Sequence, residues 1–255
     1  MNYDPVVRRI KQEILDGTFG RPVRGRCVHA MRRGETYYSR NQWSGKIRIG
    51  TLPVLDSPFM NGCAHNLQLM TFLLGPDMDH ALDVTAVEGE LYRANPNLEN
   101  YDIAALRCHM ENDIPLLYLT AHPLAARDLG QSAEIEFEKG ILSWGREREY
   151  RFLYRDRIQT IEFGKGSGSL SLNKLSEVIE CCKTGKKPAC LPMAGLPHLH
   201  AVELAQKLPI QPVNPQHIET LVCDGDRFLC VLNLETVLMD AYHAYALPQE
   251  IGMKL

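Results

Sequence analysis

Hydrophobic and polar positions change period along the chain, and the changes mark its elements. Val6, Val7, Ile10, Ile14 and Leu15 fall at helical i, i+3, i+4 spacing behind Asp4-Pro5, a capping carboxylate with proline at the first helical position, and Gly17 closes the segment. Over residues 25–31 small and apolar residues mix with the neighbouring Arg24, Arg26, Arg32 and Arg33, which predicts a strand with one wet, cationic face. Those arginines read first as a solvated face and second as the lining of a ligand site. Residues 37–55 are rich in Tyr, Asn, Trp and Gly, keep neither period, and predict a long loop. Leu67, Met70, Leu73 and Leu74 return to helical spacing over residues 61–74, with Asn61 as the cap and Gly75-Pro76 as the stop.

After Gly75 the texture becomes a series of short β-like runs: 83–92, 103–110, 114–122, 133–137, 141–144, 150–154 and 158–163. Turn residues such as Glu111-Asn112-Asp113 and Glu138-Lys139-Gly140 join several of them, so successive runs are expected to pair antiparallel. Residues 167–171 read as a flexible connection, and 175–182 as part of a helix that ends at Gly185 ahead of Pro188. Residues 199–208 and 234–245 predict two more amphipathic helices, separated by a segment holding Pro209, Pro212 and Pro215. The sum is an α+β chain: one large, open-faced, mostly antiparallel β-sheet with helices packed on one face. Residues 1–255 are expected to form a single domain, with 209–255 as a C-terminal extension packing on it. The other face of so large a sheet calls for a second subunit or another domain.

The 255 residues are 45% hydrophobic and 23% charged, enough apolar material for a real core, which excludes collagen-like, coiled-coil and wholly disordered classes. Lys and Arg total 28 against 31 Asp and Glu, a net charge of -3, so there is no basic excess to neutralise phosphates. Nucleic acid and anionic membrane drop out as partners; a small neutral or anionic ligand stays open. No window approaches the ~20 apolar residues of a membrane span. Eight cysteines scattered without paired zinc spacing, and an N-terminus without a basic-then-apolar leader, predict a reducing, cytoplasmic setting.

Candidate chemistry is sparse. Gly164-Lys165-Gly166-Ser167-Gly168 sits between a strand and a helix, but the third glycine position of a dinucleotide fingerprint falls on Ser169 and no acidic strand end follows, so it reads as a plain turn. His198 and His200 lie two apart on a helix and point to different faces, and the vicinal Cys181 and Cys182 read as packing residues, so no metal is expected. Asn61 and His65, one helical turn apart, are expected to share a face near the helix N-terminus. The dipole there depresses an imidazole pKa and lets the ring exchange a proton with a substrate hydroxyl or carbonyl near neutral pH. The competing reading is a satisfied core histidine.

Val54-Leu55-Asp56-Ser57-Pro58, Asn61, Ala64-His65 and Phe72-Leu73-Leu74-Gly75 together resemble the central segment of the Gfo/Idh/MocA oxidoreductases, the glucose-fructose oxidoreductase and inositol dehydrogenase family. His65 and Gly75 match that family's histidine and Leu-Gly helix end in spacing, whereas its Asp four residues ahead of the histidine is Asn61 here and its intervening Gly is Cys63. Matches extend from Ile10-Lys11 and Gly17-Thr18-Phe19-Gly20-Arg21-Pro22 to Gly185-Lys186-Lys187-Pro188, and the Tyr37-Tyr38-Ser39-Arg40-Asn41, Trp43 and Gly45 run is similar to a subgroup of sugar-type dehydrogenases.

The resemblance implies the family's C-terminal domain, of dihydrodipicolinate-reductase-like fold. It also implies the absence of the N-terminal Rossmann domain and of the Glu-Lys-Pro segment with its catalytic lysine; Lys11, Lys46 and Lys139 do not sit in such a motif. His65 is implied as acid/base or polarising donor and Asn61 as its orienting neighbour, with Tyr38, Arg40, Asn41, Trp43 and Asp56 as substrate contacts. NAD or NADP is implied for the intact protein, with none expected on this chain alone, together with a sugar-like substrate and a homo-oligomer formed through the sheet face. The expected function is the substrate-binding and oligomerisation half of an NAD(P)-dependent oxidoreductase acting on a CH-OH group of a sugar, cyclitol or related polyol, without redox competence of its own. The alternative, favoured by Asn61 in place of Asp, is a stand-alone, non-catalytic carbohydrate-binding or scaffold protein derived from that domain.

Overall fold

The computed structural model describes residues 1–166 and 170–253, so the first three residues of the expected 167–171 connection and part of the Gly164–Gly168 turn lie outside the described residues. Helix α1 (Pro5–Leu15) starts where the Asp4 carboxylate accepts a hydrogen bond from the Val6 amide at 3.0 Å, and Gly17, at φ +72°, turns the chain out of it. Then come β1 (Pro22–Met31), α2 (Glu35–Ser39), a miniature hairpin of β2 (Arg48–Ile49) and β3 (Leu52–Pro53), a single π turn (Pro58–Gly62) and α3 (His65–Leu74). The run of strands is β4 (Val84–Arg93), β5 (Ile103–Met110), β6 (Pro115–Ala121), β7 (Asp128–Phe137), β8 (Gly140–Gly145), β9 (Glu149–Tyr154) and β10 (Thr160–Lys165). Next are α4 (Leu170–Thr184), α5 (Leu196–Ala205), β11 (Ile210–Pro212), β12 (Ile218–Cys223), β13 (Asp226–Val231) and α6 (Leu234–Ala244).

Nine strands form one sheet in the order β10-β9-β8-β7-β1-β6-β5-β4-β11. Consecutive strands joined by short turns pair antiparallel, as the turn chemistry requires. The exceptions have partners distant in sequence: β1 inserts between β7 and β6, antiparallel to the first and parallel to the second, and β11 lies parallel to β4. One face carries α1, α3 and α5, whose Val7, Ile10, Leu69, Met70, Ala201 and Val202 close over Cys27, Leu106, Tyr118 and Ile135. Gly25 lets α3 lie close to β1, since a Cβ there would fall 2.6 Å from Met70 Cε and 2.5 Å from Leu116 Cδ2.

The second face, which the sequence left to a partner, is covered over its centre by the chain's own C-terminal segment. Leu234, Leu238, Ala241 and Tyr242 of α6 pack on Val28, Ala30, Leu117 and Leu119, and the Tyr245 hydroxyl donates to the Gly25 and Pro115 carbonyls at 2.5 and 2.8 Å. The strands toward β10 keep that face open, and half of the expected cationic stripe is neutralised on β1: Arg24 pairs with Glu136 and Arg26 with Glu134, both at 2.6 Å. Such surface pairs contribute little stability.

Two local readings are corrected. The β12–β13 hairpin was not anticipated, although its Asp224-Gly225 turn, at φ +52° and +76°, is the two-residue signal for it. Cys182 is exposed and Cys181 only half-buried, so the vicinal pair does not pack in a core. The expected 37–55 loop contains the end of α2 and the β2–β3 hairpin. Among the described residues no helix is long and apolar enough to cross a membrane.

Candidate functional site

The single helix expected over residues 61–74 is broken. Ser57 Oγ accepts from the Met60 amide at 3.1 Å and Pro58 opens a π turn, a start signal that lies ahead of Asn61; Cys63, at φ -117° and ψ 10°, then interrupts the chain before α3 begins at His65. Asn61 is therefore not the helix cap, and it does not stand one α-helical turn below His65 on a common face. Its amide instead donates to Asp56 Oδ1 at 3.0 Å, while Asp56 Oδ2 accepts from the Gly45 amide at 2.7 Å. Asp56 is buried, and its two oxygens tie the loop around Gly45 to the π turn.

His65 keeps its ring exposed at the head of α3 and makes no side-chain hydrogen bond among the described residues, while desolvation by the surrounding chain lowers its pKa below the ordinary histidine value. The imidazole is neutral near pH 7 and open to a ligand. The next residue, Asn66, is fully buried and anchors a polar set: its Oδ1 accepts from Gln131 Nε2 at 2.6 Å and Trp144 Nε1 at 3.2 Å, and its Nδ2 lies 3.5 Å from His29 Nδ1. His29 and His198 both have pKa values lowered first by burial, and protonation of His65 lowers both further. His198 bonds the Phe59 carbonyl at 3.0 Å and His200 pairs with Asp83 at 3.1 Å, so the two are directed to different places, as their spacing indicated.

The loop residues fall into separate groups. The Arg40 guanidinium lies 3.7 Å from the Tyr37 ring centroid and 5.4 Å from that of Trp43, which is 37% exposed. Asn41 Oδ1 accepts from the Trp43 and Ser44 amides at 3.0 and 2.8 Å and from Ser44 Oγ at 2.9 Å, so its oxygen shapes the loop. Tyr38 turns elsewhere, its hydroxyl 2.8 Å from His122 Nδ1. Among the described residues none of Tyr38, Arg40, Asn41, Trp43 or Asp56 hydrogen-bonds to His65.

A cavity of about 670 Å³ lies where the ends of β1, β4 and β6 meet the β12–β13 hairpin, with Arg33, Tyr38, Arg93, Asp102, His122 and Arg227 in its wall. Burial pushes Asp102 up to about 6 even though its carboxylate accepts from the Ala94 and Asn95 amides at 2.8 and 2.9 Å. Burial, then the charges of Arg33, His29 and Arg40, push His122 down to about 3. Among the described residues its Nε2 has no hydrogen-bond partner, and it faces Gly62, where a Cβ would fall 2.9 Å away. The sequence did not single out His29, Asn66, Gln131 or His122. Arg33 was visible only as one of four arginines, and nothing local says that Arg24 and Arg26 meet acidic partners while Arg32 and Arg33 do not.

Among the described residues no three or more His, Cys, Asp or Glu side chains gather as a metal-ligand set. Among the described residues the parallel pairs β1–β6 and β4–β11 join strands distant in sequence and are not the consecutive β-α-β units of a dinucleotide-binding fold. No family model and no curated protein sequence matches the chain.

Solved structures do match. The WlbA dehydrogenase from Bordetella pertussis, in complex with NADH and UDP-GlcNAcA, superposes with a TM-score of 0.58 at 21% identity, over 79% of this chain and 56% of that one. Levoglucosan dehydrogenase in complex with NADH gives 0.58 at 16% identity, over 80% and 61%. UDP-N-acetylglucosamine 3-dehydrogenase GnnA from Acidithiobacillus ferrooxidans gives 0.55 at 12% identity, over 78% and 58%. This chain thus spans less than two thirds of the length of each, and what it shares with them is the α+β fold, a large mixed sheet flanked by helices.

Proposed function

We propose that the chain is the substrate-side and assembly unit of an NAD(P)-dependent oxidoreductase of the Gfo/Idh/MocA type, acting on a CH-OH group of a sugar, cyclitol or related polyol. The observation that carries the reading is His65: a neutral, solvent-open imidazole at the head of α3, in a fold shared with dehydrogenases solved with NADH. An imidazole of lowered pKa accepts the proton of a substrate hydroxyl and returns it in the reverse direction. The buried Asn66, Gln131 and Trp144 set, which starts one residue along α3 and reaches His29, fixes polar groups in the core beside the helix head. Trp43, with the Arg40 guanidinium 5.4 Å from its ring centroid, offers a flat apolar face to a sugar ring. Asp56 and Asn61 serve this site by position, holding the loop to the π turn.

The reading assigns NAD or NADP to a separate nucleotide-binding unit and gives this chain the proton alone. The exposed apolar stripe of α4, Leu172, Leu175, Val178 and Ile179, supports a further unit docking there, because monomers rarely leave such a stripe open. Oligomerisation through the sheet uses the open β7–β10 half of the second face, where Leu153 stands exposed among ion pairs. The reading places the protein in the cytoplasm, in line with eight cysteines that form no disulfide.

One observation favours the alternative of a non-catalytic binding protein: Asn61 is bonded to Asp56 and leaves His65 without an orienting partner. Nicotinamide fluorescence with the protein as the cell produces it, against a panel of sugars, sugar acids and cyclitols, separates the two. Turnover with one of them, lowered about 100-fold or more in His65→Ala at unchanged melting temperature, supports the oxidoreductase. Equal turnover removes His65 from the mechanism, and substrate binding without turnover supports the binding protein.

A further inference from the structure

The cavity between the sheet end and the C-terminal hairpin is walled by residues that the oxidoreductase reading, apart from Tyr38, does not use. Its volume, about 670 Å³, falls within the range of small-molecule sites. The wall is held in shape. Thr36 N donates to Asp226 Oδ1 at 3.1 Å, the Arg32 guanidinium lies 4.4 Å from the Phe228 ring centroid, and a Cβ on Gly34 would fall 2.3 Å from Asp226 Oδ2, so the turn after β1 and the hairpin are locked together. The cavity does not need a ligand to form.

Three arginines border it, and two are engaged. Arg93 Nη1 donates to the Leu98 and Glu99 carbonyls at 3.1 and 3.2 Å, and Arg227 Nε lies 3.7 Å from Glu35. Arg33 has no acidic partner among the described residues. Its Nε is buried without an acceptor, its Nη2 approaches only Met31 Sδ at 4.0 Å, and its guanidinium rests 4.6 Å from the Tyr37 ring centroid. A desolvated donor left without an acceptor is costly unless a ligand supplies one. The one carboxylate sunk in the wall, Asp102, is turned to the Ala94 and Asn95 amides and does not neutralise Arg33. Pro123, Val213 and Leu229 supply apolar surface beside these charges.

We propose that this cavity binds a small organic anion, its carboxylate or phosphate on the Arg33 guanidinium and its apolar body between Pro123, Val213 and Leu229. The assignment stands apart from the His65 reading, because His65, Asn61, Arg40 and Trp43 are not in the wall.

Isothermal titration of the full chain with phenyl phosphate, benzoate and benzyl alcohol tests it, the three probes sharing one ring and differing in charge. The expected result is saturable binding of an anion, with benzyl alcohol at least about 10-fold weaker and the anion weakened about 10-fold or more by Arg33→Met, which keeps an unbranched apolar stem and removes the guanidinium. Preference for phenyl phosphate assigns the site to phosphoryl compounds, and preference for benzoate assigns it to carboxylates. Equal binding of all three probes, no binding of any up to about 10 mM, or an anion affinity unchanged in Arg33→Met overturns the proposal. The comparison of probes on the wild-type chain decides even where Arg33→Met does not fold. Turnover at His65 and affinity at Arg33 are separate readouts, so either assignment can fail without the other.

Discussion

Replacing His122 with Gln should change how stability depends on pH more than it changes any visible contact. His122 is 3% exposed, its Nδ1 engaged by the Tyr38 hydroxyl and its Nε2 facing Gly62 without an acceptor. Protonation would place a cation among Arg33, His29 and Arg40 in a desolvated wall, which is why its pKa falls from 6.5 to about 3. A folded-state value below the unfolded one means the unfolded chain binds the extra proton. Stability from this group is therefore complete above pH 6.5 and is lost as pH falls toward 3. At about 1.4 kcal/mol per pH unit the group carries about 5 kcal/mol in all, and about 3 kcal/mol of it is lost between pH 7 and about pH 4.5.

Asp102, in the same wall, works against it. Its value is raised from 3.8 to about 6, so its contribution is complete below pH 3.8 and is lost as pH rises through 6. Acidification to about pH 4.5 returns about 2 kcal/mol through Asp102, and the wild-type profile blurs the two. The assay is urea unfolding of wild type, His122→Gln and Asp102→Asn at several pH values between 7 and 4.5, each variant taken as a difference from wild type. The wild-type advantage over His122→Gln should shrink by about 3 kcal/mol over that range, and the difference for Asp102→Asn should run with the opposite slope. A His122 difference that stays constant with pH would show that the ring titrates normally in the folded protein and refute the argument.

Asp56→Ala leaves the Gly45 amide and the Asn61 side chain without their acceptor and should cost about 3 kcal/mol, roughly 6–12 °C in Tm for a chain of this size, measured by thermal unfolding; an unchanged Tm would mean the loop is not held there. Lys11, fully buried and pushed down to about 8 by burial, donates to the Phe72 and His80 carbonyls at 2.5 and 2.6 Å beneath the end of α3. Lys11→Met keeps the stem but orphans both acceptors, and should lower stability by about 2–3 kcal/mol in urea titration. Ellman's reagent on the native protein near neutral pH should react readily with exposed Cys182 and reach Cys27, Cys63 and Cys108 only after unfolding, since burial raises all three thiols, Cys63 to about 11 and Cys108 to about 12. Fast labelling of those three would show the core opening on the experimental timescale.

Signals that act within a few residues were legible before any coordinates. Asp4-Pro5 and Gly17 bracket α1, the 103–110 run coincides with β5, and the turn chemistry of residues 111–113 and 138–140 produces the antiparallel pairs of an α+β sheet. The same kind of signal stands at Ser57-Pro58, which opens the π turn, and at Asp224-Gly225, which turns the last hairpin. His65 stood out by its place at the head of a helix. What surrounds it did not, because Asn66 reaches His29, Gln131 and Trp144 only after β1, β7 and β8 have paired.

Tertiary structure alone decided the rest, and the reason is range. Hydrogen-bond partnership between distant strands puts β1 beside β6, hydrophobic burial draws α6 over the centre of the second face, and desolvation by residues far along the chain moves Asp102 and His122 in opposite directions. Arg24 and Arg33 have the same chemistry in sequence. One meets Glu136 across the sheet and the other is left facing a cavity, a difference that exists only once the chain has closed on itself.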